Sequence, residues 1–403
     1  MNTKALAQKA LEKGNGIFRL APAWVPRSFC RPGRRIKLHP NDYYVLGLER
    51  GGIDERWFAS ATRAENGPKT AEDEGLSYIV VDENGREKVL LRDAVEELKG
   101  DVIGQVLYDR YGRWPVYSKF FDNLGPLPHH IHHRNQHAAR VGLSGKPEMY
   151  FFPAQLNNHG GEFPFTFFGL NPEVTKEELL EALRNFTRGD NNILSLSRAY
   201  KLELDTGWDV PPGVLHAPGS LCTYEPQFAS DVYAMYQSVL YFEHSVPEEL
   251  LWKNCPPEEK GNFAYLADVL DWDINVDPDF HKNRFMRPRP VRPLAEAKEQ
   301  GFIEEWICYK CKEVSAKRLT VLPGKTVTVK DSAAYGIICL AGHGKLGLWD
   351  LETPALIRYG QLTNDEFFTT EKAAKAGVTI TNASLTEDIV ILKHFAENPD
   401  LVL

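Results

Sequence analysis

Pro128-His129-His130-Ile131-His132-His133 sets four histidines around one isoleucine. In an extended strand, side chains alternate between faces, so His130 and His132 point one way while His129, Ile131 and His133 point the other. Two imidazoles on one face form a ready chelate. The run sits inside residues 114–168, a stretch rich in aromatic and β-branched residues broken by Gly, Pro and Asn. That texture predicts short strands of a sandwich or barrel.

Outward from this run, Glu148 opens an apolar strand over residues 149–152. An unpaired carboxylate buried there is expensive, so something positive should face it. His216 follows Val210-Pro211-Pro212-Gly213, a stiff turn that fixes the next strand with little conformational freedom. His130, His132, Glu148 and His216 together form a donor set suited to one divalent metal, with Zn, Mn, Fe, Co and Ni all accommodated.

The remaining chain alternates in texture. Residues 76–81 alternate as a strand, Asn84-Gly85 makes a turn, and residues 89–98 carry helical spacing. TKEELLEALRNF at 175–186 is the clearest helix, with Thr175 as N-cap, Glu178 completing a capping box, and Leu179, Leu183 and Phe186 on one stripe. Strand patterns resume at 199–204 and run past His216 to about residue 242, so a helical insertion interrupts the first β unit. Residues 247–292 form a mixed helical stretch ending in MRPRPVRP, and alternating strands return over 302–394, including 317–322, 326–329 and 389–392.

At 403 residues the chain is too long for one ordinary core, which predicts two or more folded units. No apolar stretch approaches the roughly 20 residues of a membrane span, and the polar start MNTKALAQKALEKGNG lacks the core of a secretory signal. Six cysteines are too sparse for a disulfide scaffold and suit a reducing cytoplasm. A net charge of −8 offers no general attraction to nucleic acid or anionic lipid.

These blocks resemble, in order, those of the class I mannose-6-phosphate isomerases, zinc enzymes of the cupin superfamily. The match runs through Trp114-Pro115-Val116-Tyr117-Ser118-Lys119, then Pro126-Leu127-Pro128-His129-His130-Ile131-His132, where His130 replaces the family's usual glutamine. It continues through Gly145-Lys146-Pro147-Glu148-Met149 and Asp209-Val210-Pro211-Pro212-Gly213-Val214-Leu215-His216-Ala217, with weaker similarity over nearly the whole chain. The resemblance implies a mainly β protein of two cupin (jelly-roll β-barrel) domains with a helical insertion. Residues 1–246 would be a catalytic cupin with its insertion near 172–190, residues 247–300 a helical segment and linker, and residues 301–403 a degenerate cupin.

The implied activity is aldose–ketose interconversion through an enediol, with a small-molecule sugar or sugar phosphate as partner and neither nucleic acid nor membrane. Lys119 and Lys146 match family lysines lining the site, and Glu225 and Asp231 match its acidic positions. One departure bears on the substrate: Ala234 stands where the family has a catalytically important arginine, and its Arg-x-Leu-His segment is missing near residues 263–266. Either Arg198, Arg284 or another cation substitutes, or the substrate lacks a phosphate. The alternatives are a cupin that binds a sugar or polyol without isomerising it, and a cupin metalloenzyme of another reaction class.

Other motifs read as structure. Cys308-Tyr309-Lys310-Cys311 has no second pair to complete a zinc site, and Gly342-His343-Gly344-Lys345-Leu346-Gly347 lacks the hydroxyl of a phosphate loop and reads as a β-turn. Arg284, Arg287, Arg289 and Arg292 read as a solvated linker. His159 and Glu162 fit a hairpin turn or a loop bordering the pocket equally well.

Overall fold

In the computed structural model, residues 2–157, 163–240 and 245–403 are described. His159 and Glu162, and the expected strand end near residue 242, lie outside them. The chain is mainly β, and the described strands form four sheets. A seven-stranded sheet runs, in spatial order, through Phe285–Met286, Gly207–Val210, Glu148–Phe151, Thr223–Phe228, Val116–Phe121, Gly52–Phe58 and Ala23–Arg27. A five-stranded sheet runs through Ser197–Lys201, Phe165–Leu170, Leu215–Ala217, His130–Ile131 and Ala234–Met235. Phe121 and Tyr150 from the first sheet meet Phe168 from the second in a shared apolar core, which buries both inner faces as antiparallel sheets require.

A nine-stranded and a four-stranded sheet, joined by a second core around Leu319, Ile337, Phe367, Val378 and Ile391, account for the rest. The strand Ile17–Ala21 pairs with Glu366–Thr369 in that nine-stranded sheet, so the start of the chain is stitched to its end. Between the units, Arg56 donates to both oxygens of Asp365 at 2.8 Å and to Glu366 at 3.2 Å. Alternation along Gly52–Phe58 sends Arg56 to this junction and Glu55 to the opposite face.

The helix Lys176–Arg184 has the expected capping box: Glu178 N donates to Thr175 Oγ1 at 3.3 Å and Thr175 N to Glu178 Oε2 at 2.8 Å. Its Leu179 and Leu183 pack with Leu266 and Val269 of the helix Phe263–Val269. Two local expectations are corrected. Residues 88–90 form a strand before the helix Leu91–Leu98, and His343–Leu346 is itself a strand that turns at Gly347 toward Trp349–Glu352. Lys345 pairs with Asp350 across that hairpin, a cross-strand contact that no turn at residues 342–347 provides.

Candidate metal centre and its cavity

The two sheets divide the site chemically. The seven-stranded sheet carries a row of charges on successive strands, Glu148, Glu225, Lys119, Glu55 and Arg27, and the five-stranded sheet supplies His130 and His216. His130 pairs in register with His216, and His132 follows just beyond the strand His130–Ile131. One nitrogen each of His130, His132 and His216 lies within 4.8 Å of the others, and all three rings are buried.

Backbone carbonyls orient these rings. His130 Nδ1 is 2.8 Å from Pro128 O, His132 Nδ1 is 2.8 Å from Val232 O, and His216 Nδ1 is 2.8 Å from Val214 O. A carbonyl only accepts, so each Nδ1 carries the proton and each Nε2 keeps its lone pair. Burial also pushes His132 down to about 4 and His130 well below its ordinary value, which leaves both rings neutral.

The Glu148 carboxylate enters this group from the opposite sheet, 3.0 Å from His132 Nε2 and 3.2 Å from His216 Nε2. These close contacts are therefore lone pair against lone pair, and His216 Nε2 and Glu148 Oε2 are buried without a hydrogen-bond partner. Lys146 Nζ makes an ion pair at 2.9 Å with that oxygen, outside hydrogen-bond geometry. Three imidazole nitrogens and a carboxylate so arranged fit a divalent cation, which would convert the repulsion into coordination.

The turn ahead of His216 explains its placement. Gly213 has φ +91°, and a Cβ there would meet Asp271 N at 2.8 Å, so glycine is required. Gly213 N donates to His132 O at 2.8 Å. Asn275, fully buried, donates to Gly213 O at 2.7 Å and accepts from Leu215 N at 2.8 Å. The helix Trp272–Asn275 thus clamps the two histidine segments from outside.

Lys119, Lys146, Glu225 and Asp231 line one cavity with His130 and His132. Lys119 lies 3.0 Å from Glu55 and 3.3 Å from Glu225, and Lys146 lies 3.4 Å from Glu225. Burial and the Glu148 charge push Glu225 up to about 8 against the pull of Lys119 and Lys146. Arg27 is the residue that sequence reasoning missed: it stands 3.2 Å from Glu55 and 3.4 Å from Asp231. It closes the strand Ala23–Arg27, buried from end to end, and nothing in the local sequence marked it.

Neither arginine expected as a substitute reaches the cavity. Arg198 donates to Asn275 O at 2.9 Å and Arg284 to Asp209 at 2.7 Å. Ala234 pairs with Ile131 within an apolar cluster, and it is the next residue, Met235, that lines the cavity. His129 and His133 are buried outside the imidazole group, His129 Nδ1 meeting Gln237 Oε1 at 2.6 Å.

No family model and no curated protein matches the chain. Solved structures do. The mannose 6-phosphate isomerase from Bacillus subtilis is 16% identical with a TM-score of 0.62, over 94% of this chain and 99% of that one. A point variant of the phosphomannose isomerase from Salmonella typhimurium is 12% identical with a TM-score of 0.62, over 95% of this chain and 100% of that one. Nearly the whole chain therefore has the fold of these mannose-6-phosphate isomerases.

Proposed function

We propose that this protein is a divalent-metal-dependent aldose–ketose isomerase acting on a sugar or sugar phosphate in the cytoplasm. We further propose that each pair of sheets is a cupin barrel and that the ion, held by His130, His132, Glu148 and His216, is zinc. The observation that carries the reading is the convergence of that donor set with paired lysines and acids in one buried cavity.

The reaction moves a proton between adjacent carbons and leaves the formula of the sugar unchanged. A base takes the proton from C2, an enediol forms, and the proton returns at C1 while the hydroxyl proton shifts between O2 and O1. A divalent cation, when bound, polarises the two oxygens and stabilises their charge. Lys119 and Lys146 are assigned to hold the substrate oxygens by donating hydrogen bonds, and Glu225 and Asp231 to exchange protons with it. Phe29, Leu127, Tyr150 and Tyr233 line the same cavity, and a substrate that displaces water from such walls strengthens each of these contacts.

The test is turnover of a panel of aldoses and their phosphates by zinc-loaded protein, with deuterium uptake from heavy water into the product. Absence of both across the panel rejects the isomerase. The apolar Met235 facing the cavity favours a second reading, a protein that binds a sugar without isomerising it, for which binding without deuterium exchange is the signature.

A further inference from the structure

Each cation lining the cavity among the described residues already lies against two carboxyl groups. Arg27 lies between Glu55 and Asp231, at 3.2 and 3.4 Å. Lys119 lies between Glu55 and Glu225, at 3.0 and 3.3 Å. Lys146 lies between Glu148 and Glu225, at 2.9 and 3.4 Å. All are nearly fully buried. The rest of the lining is His130 and His132 of the metal centre, with Phe29, Leu127, Pro218, Met235 and the tyrosines 150 and 233.

From this closed set of charges we propose that the cavity selects a neutral monosaccharide over its phosphate ester, an inference that rests on the sugar-isomerase reading. Away from the ion, which the reacting sugar oxygens would occupy, a phosphate needs a guanidinium or ammonium free to donate. Here it must pull one from a buried carboxylate, which then stands uncompensated in a low-dielectric interior at a cost of several kcal/mol. A sugar hydroxyl both donates and accepts. It bonds to a carboxylate and to the neighbouring ammonium together, so a polyol leaves each cation its counter-ion.

Lys253 is the nearest candidate for anchoring a phosphate outside the cavity. Its ammonium donates to Glu65 O at 2.6 Å and to Tyr233 Oη at 2.8 Å, on the outer groove behind that ring. Those acceptors are uncharged, so Lys253 is the position to control in the test.

Zinc-loaded full-length protein is titrated calorimetrically with mannitol and with mannitol 1-phosphate, neither of which isomerises. The expected result is binding of mannitol and at least tenfold weaker binding of the ester, with inorganic phosphate failing to displace mannitol. Asp231→Asn, which frees Arg27 from one carboxylate, is expected to narrow the gap.

Equal or tighter binding of the ester overturns the proposal, and loss of that binding in Lys253→Ala would assign the anion to the outer groove. Failure of mannitol to bind also overturns it. The two claims separate cleanly: mannitol preference without turnover of any aldose keeps the selectivity and rejects the isomerase, whereas turnover of aldose phosphates alone does the reverse.

Discussion

His132 Nε2 and Glu148 Oε2 face each other at 3.0 Å with the ring proton committed to the far side, on Nδ1, where Val232 O accepts it. A buried carboxylate opposed to imidazole lone pairs is unfavourable without a cation beside them. Lys146 Nζ serves His132 Nε2 and Glu148 Oε2 at 3.1 and 2.9 Å, but His216 Nε2 has no hydrogen-bond partner and a divalent ion would supply one.

Removing a donor should therefore remove the ion. His132→Ala, Glu148→Ala and His216→Ala are each expected to lose most of the metal, read by elemental analysis of protein purified without added metal. His129→Ala and His133→Ala should retain it while lowering the melting temperature, because both rings are buried. Metal dependence on His129 or His133 with His130 and His132 dispensable would assign the ion to the wrong face of this segment.

Asn275 gives a test of positioning at a distance. It does not line the cavity, yet it holds both sides of the Gly213 turn. Asn275→Ala should cost about 1–3 kcal/mol for the buried groups left unpaired. It should also weaken zinc binding several-fold in competition with a chromogenic chelator. Asn275→Asp, which keeps the acceptor for Leu215 N, should restore part of the stability.

Arg56 holds the two β units together through Asp365 and Glu366. Arg56→Met leaves those acids unpaired at a buried junction and should destabilise by about 3–5 kcal/mol in urea unfolding. Adding Asp365→Leu should recover much of the loss, since burial, the largest influence on Glu366, pushes its carboxyl up and lets it stay protonated once Arg56 is gone. No recovery would show that the junction depends on charge rather than on filled volume.

Much of the site was legible because its signals are local. Alternation around Ile131 gave the shared direction of His130 and His132, and the Pro-Pro-Gly turn pointed to a fixed His216. The capping box at Thr175 is equally local. Arg27 and Asn275 were not legible, because each acts across the sheet or from a later helix, at sequence separations of 204 from Asp231 and 62 from Gly213. The pairing of Ile17–Ala21 with Glu366–Thr369 was hidden for the same reason: a strand's pattern gives its faces, not its neighbour.

His394 supplies the pH prediction, away from the metal centre. It is fully buried, its Nδ1 2.8 Å from Ser118 Oγ, and burial pushes it down from 6.5 to about 3. A histidine with a depressed folded value is neutral when native and protonated when unfolded in acid. Its stabilising contribution is therefore complete above pH 6.5 and lost as pH falls toward 3. Across that window the slope is about 1.4 kcal/mol per pH unit for one proton. His394→Gln keeps a polar partner for Ser118 and removes the titration. Urea unfolding of metal-free protein from pH 4 to pH 7 should give a flatter stability profile for the variant by about one proton. His129, pushed by burial to about 4, should keep the remaining slope above zero. Parallel profiles for the two proteins would mean that His394 is already protonated in the native state.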